Sequence, residues 1–313
     1  MVEKCLVTGG AGFIGSHLVE SLLESGQAVR VFDDFSTGLR GNIEHRSPEI
    51  FEGSLTEPER VLRAVEGCSV VYHLGALASV ARSVENPLVS HAACATGTLH
   101  VLDAARKSGV RRVVYAASSS AYGGASSEAG QTEDTPIKAL SPYAAAKLSG
   151  ELYCQAFTAV YGLETVRLRF FNIFGPRQRA DSPYSGVIAL FVAAMSAGKS
   201  PTVHGDGLQS RDFTYVANAV QALRKAADAA KDVSGNVYNV GTGNSITVLD
   251  LVAALNKLMG TSLSPVHTAA RAGDVRFSKA DIRRTRSDLH YEPSVPFEEG
   301  LRRTLEWYRK GPC

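Results

Sequence analysis

The sequence predicts an α/β protein, a doubly wound parallel sheet followed by a smaller α/β lobe, and three observations predict it. Short β-branched or apolar runs alternate with stretches of helical periodicity over the first 174 residues. A glycine-rich turn follows the first run directly and opens the first helical stretch. Past about residue 174 the alternation loosens into "GPRQRADSPYSG", which holds too much Gly, Pro and charge for a strand. Strands alternating with helices imply crossover connections, and so a parallel sheet covered on both faces.

In chain order, "KCLVTGG" is the first strand, and "GSHLVESLLESG" is the first helix, apolar along one face. "AVRVFDD" is a second strand that ends on acids, and "SVVYHLGA", "RRVVYAAS" and "TVRLRFFN" are three more. "LVSHAACATGTLHVLDAARKSG" is helical, as is "LSPYAAAKLSGELY", residues 140–153, which opens on a serine cap with Pro142 at its first position. "RDFTYVANAVQALRKAADAA" and "NVYNVGTG" are regular enough to return to the first sheet. The expected division is therefore discontinuous: residues 1–174 with about 209–243 in one domain, and 175–208 with 244–313 in a second lobe. There is no internal repeat or low-complexity tract.

With 44% hydrophobic and 20% charged residues, the 313-residue chain can bury a full core. Its net charge of +2 comes from basic and acidic residues spread along the chain, so no nucleic acid or membrane partner is indicated. The apolar run "GVIALFVAAMSAG" is too short to span a bilayer and fits a buried helix. The basic stretch "DIRRTRSDLH" suits a solvated helix face. Cys5, Cys68, Cys94, Cys154 and Cys313 form no CxxC pair, and the histidines have no ligand spacing with them, so a metal is not expected. An odd number of scattered cysteines and an N-terminus that enters a strand at once suggest a reducing cytoplasm.

"TGGAGFIG" places Gly9, Gly12 and Gly15 after the first strand and at the start of the first helix. Glycines there allow close backbone approach, and the helix terminus offers unpaired N–H groups to a pyrophosphate. A lone triplet is weak, but this one has its strand, its helix and Asp33 about 20 residues on, in "VFDDFSTG". An acid at that place accepts both hydroxyls of a ribose and repels a 2′-phosphate, which favours NAD over NADP on a Rossmann-like domain. Arg40 nearby leaves an NADP reading open.

Tyr143 and Lys147 are four residues apart, on one helical face, so phenol and ammonium can point into one site. Two surface side chains would show the same spacing. A phenol ordinarily titrates near pH 10, and a neighbouring cation favours its anion, which makes it a usable base. The serines of "AASSSAYGG" lie at the end of a strand, where turn chemistry is the plain alternative to catalysis.

"TGGAGFIG", "AASSSAYGG" and "SPYAAAKL", in that order, resemble the extended short-chain dehydrogenase/reductase family, in particular its nucleotide-sugar epimerases of the UDP-glucose and UDP-N-acetylglucosamine 4-epimerase type. "RFFNIFGPRQ", "GDGLQSRDFTYV", "YNVGTG" and "RAGDVRFSKADIRRTR" extend the similarity over essentially the whole chain. The resemblance implies Tyr143 as acid/base, Lys147 as its partner on the nicotinamide ribose, and Ser118 as the hydroxyl beside the sugar, with Ser119 and Ser120 one and two places from that register. Relatives that dehydrate a sugar carry an acidic pair where this chain has Ser119 and Ser120, so epimerisation, through a transient 4-keto sugar, is the implied reaction.

Implied NAD contacts are Gly9, Gly12, Phe13, Ile14 and Gly15 in the first turn, and Asp33, Asp34, Ser36, Thr37 and Gly38 after the second strand. They continue with Ser54 and Leu55, with Leu74, Gly75, Ala76 and Ala78, and with Ala116 and Phe170 at later strand ends. The UDP-sugar is implied to meet Ser118, Ser119, Ser120, Asn172, Gly186, Val187, Thr202 and His204, with Arg211 and Arg271 on the diphosphate and Asp274 on the uridine ribose. Ser278, small where a bulky Tyr would restrict the sugar, implies that N-acetylated sugars enter too. The chain departs from the family at Ser54, where an Asp usually binds adenine, and at Cys94, where a helix Asn is usual. A homodimer through the helices near 88–107 and 142–161 is also implied. The runner-up activity is UDP-glucuronate 4-epimerase or decarboxylase; outside enzymes, the alternative is a dinucleotide sensor.

Overall fold

A computed structural model describes residues 3–124, 129–181, 185–270 and 275–311. The chain begins with β1 (Lys4–Thr8), α1 (Phe13–Glu24), β2 (Ala28–Asp33), β3 (Glu49–Glu52), α2 (Pro58–Val65) and β4 (Val70–His73). Two short helices follow, α3 (Val80–Glu85) and α4 (Pro87–His91), and a π turn at 92–96 leads into α5 (Gly97–Lys107). β5 (Arg112–Ser118), α6 (Pro142–Tyr161) and β6 (Glu164–Phe170) complete the first half.

These six strands and a later one, β11 (Val237–Val240), form a seven-stranded, all-parallel sheet in the order β11-β6-β5-β4-β1-β2-β3. Alternation along each strand divides the core. Cys5, Val7, Val114 and Ala116 face α1 and a later helix, α8 (Val216–Asp228), whereas Leu6, Val113, Tyr115 and Ala117 face α2, α5 and α6. This is the predicted doubly wound arrangement.

The second half holds β7 (Asn172–Phe174), α7 (Val187–Ser196), β8 (Thr202–His204), β9 (Ser210–Arg211), β10 (Phe213–Tyr215) and α8 (Val216–Asp228). β11 (Val237–Val240) closes the large sheet, and β12 (Ile246–Thr247), α9 (Val248–Met259), β13 (Val266–Thr268), β14 (Phe277–Ser278), α10 (Arg283–Leu289) and α11 (Phe297–Lys310) follow. A separate apolar cluster joins α7, α9 and α11, with Phe174, Phe213, Tyr215 and Phe297 packed ring against ring. "GVIALFVAAMSAG" is thus a buried helix, as expected, and no helix among the described residues is long and apolar enough to cross a membrane.

Two buried arginines lock the sheet to its helices. Arg112 donates to the carbonyls of Ala226, Ala229 and Ala230, cationic charge at the C-terminal end of α8, and pairs with Glu164 at 2.7 Å. Arg169 grips Glu151 with three donations, the shortest 2.7 Å, both side chains being almost fully buried, and so fixes α6 over β6. Removing one partner of such a pair leaves a buried charge uncompensated.

His17 on α1 packs against the second half, with its Nε2 2.9 Å from the Pro176 carbonyl, and burial lowers its pKa from 6.5 to about 4. The folded state therefore resists a proton that the unfolded chain accepts. The stability this provides is complete above about pH 6.5 and declines as pH falls toward 4. Melting temperature is expected to drop across that window, and His17→Gln to flatten the drop; an unchanged slope in differential scanning calorimetry would exclude His17 as its source.

Candidate active site

The strand order reverses between β1 and β4, and their C-terminal ends open into a cleft of about 730 Å³. The turn between β1 and α1 forms its floor. Gly12 is the N-cap of α1 without any side-chain cap, and the first backbone bond of the helix is Ser16 N–H to Gly12 O. The amides of Phe13, Ile14 and Gly15 therefore lack helical acceptors and line the cleft. Gly15 is required here by close approach: a Cβ on it would lie 2.1 Å from the Gly9 carbonyl oxygen.

Asp33 ends β2 and is held from both sides, accepting from the Ala11 amide and the Phe35 amide at 2.9 Å each. Burial raises its pKa and these bonds oppose the rise. Asp34 accepts from the amide and hydroxyl of Ser36. Arg40 is ion-paired with Glu52 and stacks 4.1 Å over the Phe35 ring, so its charge is already matched and an additional ribose phosphate has little claim on it. Ser36, Thr37, Ser54, Leu55, Leu74, Gly75, Ala76, Ala78, Ala116 and Phe170 all line the cleft, as does Gly9. Gly38 does not; it packs against Ala11 and shapes the loop.

At the other end stands α6. Ser141 accepts from the Ala144 amide, Pro142 takes the first helical position, and the Tyr143 amide donates to Ser83 Oγ of α3 at 3.0 Å. Tyr143 and Lys147 line the cleft together, one turn apart. Burial raises the phenol's pKa, and a hydrogen bond with Ser118 is what opposes the rise. Burial likewise lowers that of Lys147, whose ammonium sits 4.2 Å over the Tyr115 ring. Burial thus acts against the depression of the phenol pKa that a neighbouring ammonium and a cationic nicotinamide ring together would produce.

Of the three serines only Ser118 is part of the cleft wall among the described residues. Its hydroxyl also accepts from the Ser120 amide and hydroxyl, so turn chemistry and exposure to the cleft coincide in one residue, while Ser119 and Ser120 lie in the turn itself. Cys94 is buried in the π turn, packed in one cluster with Tyr143 and Ala146, and it is Ala93 that reaches the cleft.

Asn172, Gly186 and Val187 line the cleft on the side of the second half. Thr202, His204, Arg211 and Ser278 do not: Thr202 and His204 are on β8, where His204 is bonded to Thr268, and Arg211 and Ser278 are register partners in the parallel pair β9 and β14. Arg271 and Asp274 lie outside the described residues.

Sequence reasoning passed over Arg82, Arg177 and Gln178, which line the cleft as well. Arg177 donates to Glu20 at 2.8 Å, yet its Nη1, like Oε1 of Gln178, is buried without a hydrogen-bond partner among the described residues. An unpaired guanidinium nitrogen on a cleft residue and an uncapped helix terminus in the same cleft each suit the oxygens of a pyrophosphate, and Asp33 matches a ribose, so the residues present fit NAD. The signal was "GPRQ", placed directly after β7.

The profile of the NAD dependent epimerase/dehydratase family matches residues 5–241. The chain is 35% identical to the UDP-glucose 4-epimerase of Mycolicibacterium smegmatis over 98% of both proteins. It is 33% identical to the UDP-N-acetyl-alpha-D-glucosaminuronate decarboxylase of Bacillus cytotoxicus over 99% of both. The UDP-N-acetylglucosamine 4-epimerase from Methanobrevibacter ruminantium, solved with UDP-N-acetylmuramic acid, superposes with a TM-score of 0.94 at 35% identity over 100% of both chains. Fold, glycine turn and family profile agree: the chain belongs to the NAD dependent epimerase/dehydratase family and is an NAD-dependent enzyme.

Proposed function

We propose that this enzyme is a 4-epimerase of UDP-hexoses, interconverting UDP-glucose with UDP-galactose and UDP-N-acetylglucosamine with UDP-N-acetylgalactosamine. Identities near one third are shared with an epimerase and a decarboxylase alike, so chemistry has to discriminate. The observation that supports epimerisation is that Ser118, Tyr143 and Lys147 line one end of the cleft, and no acid lines that end among the described residues. The carboxylates lining the cleft, among the described residues, are Asp33 and Asp34 at the loop end. Elimination of water from the sugar needs an additional acid; inversion at C4 needs only one proton removed and returned.

When bound, NAD supplies an acceptor and donor of hydride for the sugar's C4. Gly12, Phe13, Ile14 and Gly15, with Arg177, would hold its pyrophosphate, Asp33 a ribose, and Lys147 the nicotinamide ribose. Tyr143 takes the proton of the 4-hydroxyl and later gives it back, with Ser118 sharing that proton across their hydrogen bond. Arg211 and Arg271 clamp the diphosphate and Asp274 holds the uridine ribose, the last two in a lobe made of residues 175–208 and 244–313. The sugar is thereby free to turn its other face to the same groups. Exposed apolar side chains on α4 and α6, Leu88, Val89, Leu152, Val160 and Tyr161, supply the face of a homodimer. The four described cysteines are buried free thiols, which suits a cytoplasmic enzyme.

Buried Ser278, opposite Arg211, is proposed to leave room for an N-acetyl group. Ser278→Tyr is expected to lower activity on UDP-N-acetylglucosamine by about a hundredfold while UDP-glucose is retained. Equal losses on both sugars would dismiss the steric role. The second reading, a UDP-glucuronate 4-epimerase or decarboxylase, draws on Arg82 in the cleft wall next to Ser83, a cation near Tyr143. Incubation with UDP-glucose, UDP-N-acetylglucosamine and UDP-glucuronate, with products identified by chromatography, decides between them: 4-epimers of the first two support the proposal, and carbon dioxide from the third favours the alternative.

A further inference from the structure

Beneath the cleft lies a buried imidazole that the proposed chemistry does not use. His73 ends β4 and is fully buried, together with Thr8 at the end of β1 and Thr98 in the first turn of α5. Its Nδ1 is 2.7 Å from Thr8 Oγ1, and its Nε2 is 2.9 Å from Thr98 Oγ1. The hydrogens in this cluster can be placed by elimination. Thr98 donates its hydroxyl hydrogen to the Cys94 carbonyl at 2.6 Å, so toward His73 its oxygen only accepts, and Nε2 carries the proton. Burial, with the charge of Lys147 nearby, lowers the imidazole's pKa to about 3, so Nδ1 is bare and accepts from Thr8. The Thr8 oxygen in turn accepts from the Gly75 amide at 3.1 Å.

The result is one directional chain: Gly75 N–H to Thr8, Thr8 O–H to His73, His73 Nε2–H to Thr98, Thr98 O–H to Cys94. Each member donates once in the same direction, an arrangement in which bonds polarise one another. The chain joins the strand ends and the π turn that underlie the cleft.

It also reaches the catalytic helix. Tyr115 is the register partner of His73 across β4 and β5, with ring centroids 5.6 Å apart, and its hydroxyl, like the Thr98 methyl group, packs under Gly150 of α6. The same hydroxyl donates to the Lys147 backbone carbonyl at 3.1 Å, and the ring carries the Lys147 ammonium on its face. α6 approaches closely enough because residue 150 is glycine; a Cβ there would lie 2.3 Å from the Tyr115 hydroxyl.

We propose that His73 is a positioning residue for the Tyr143–Lys147 pair: as the Nε2–H tautomer, its imidazole is the middle link of a directional chain that fixes the cleft floor and, through Thr98 and Tyr115, the seat of Lys147. The inference rests on the reading of Tyr143 and Lys147 as the acid/base pair, and its test includes a measurement independent of any sugar.

In protein labelled with ¹⁵N-histidine, the His73 signals are assigned by their absence from His73→Gln. The parent is expected to show a protonated Nε2 and a bare Nδ1 at about pH 7. Thr98→Val keeps the shape of the side chain and removes the acceptor, and is expected to abolish that single tautomer. In kinetics, His73→Phe is expected to lower kcat about tenfold with KM for UDP-glucose nearly unchanged. His73→Gln, which can both donate and accept, restores most of the loss. An Nδ1–H tautomer or an imidazolium in the parent, a single tautomer that survives Thr98→Val, a His73→Phe enzyme with the parent's kcat, or a Gln variant as impaired as the Phe one would each overturn the proposal. A parent inactive on every UDP-sugar would instead refute the functional reading, and the tautomer would still decide the chain.

Discussion

Tyr143→Phe is expected to lower turnover of UDP-glucose by about three orders of magnitude while leaving the melting temperature close to that of the parent. Phe keeps the ring that packs in one cluster with Cys94, Ala95 and Ala146, so only the hydroxyl is lost. That hydroxyl belongs to a residue that lines the cleft with Ser118 and stands one helical turn from the buried Lys147. Steady-state kinetics with calorimetry on the same preparation separates chemistry from folding. A variant as active as the parent would remove Tyr143 from the reaction altogether.

Gly15→Ala is expected to empty the enzyme of cofactor. The added Cβ would lie 2.1 Å from the Gly9 carbonyl oxygen and 2.8 Å from Gly10 Cα, both backbone atoms that cannot swing aside as a side chain would. The turn has to open, α1 shifts, and the amides of Phe13, Ile14 and Gly15 no longer converge. Overpacking of this kind costs about 1–3 kcal/mol, so the variant is expected to fold with a lowered melting temperature and release little NAD on denaturation. An NAD content equal to the parent's would show that the turn is not the pyrophosphate site.

The contrast between these two residues also shows what can be read from sequence. Gly15 was legible because a tight turn between a strand and a helix needs glycine at fixed spacing, and the parallel sheet followed from the same alternation, whereas the short edge strand β3 was not among the runs read. Tyr143 and Lys147 were legible because a helix puts positions four apart on one face. Nearly all the expected cofactor contacts line the cleft, since they are backbone neighbours of strand ends. Gly38 does not, because its lack of a side chain serves packing against Ala11.

What was not legible depends on tertiary environment. Spacing suggested a phenol eased toward its anion, but burial of Tyr143 and Lys147 pushes both toward neutrality, a term that sequence does not contain. Arg177 sits in a stretch read as loop and as part of the motif "RFFNIFGPRQ" with no role of its own, and its unpaired nitrogen becomes visible once the rest of its guanidinium is placed against Glu20. His73, Thr8 and Thr98 are far apart in the chain and join only where β1, β4 and α5 meet. Arg211 and Ser278 were expected together at one ligand, and β9 and β14 do pair them, away from the cleft wall.

In the proposed reaction the hydrogen at C4 of the sugar is taken and given back to the same carbon within one active site, with Tyr143 handling the hydroxyl proton. The most direct measurement uses UDP-glucose carrying deuterium at C4, incubated with purified enzyme and no added reductant, with the product analysed by NMR and mass spectrometry. The expected result is UDP-galactose with the deuterium retained at C4 and none released to water. Loss of the label to solvent, or no 4-epimer at all, would contradict the account.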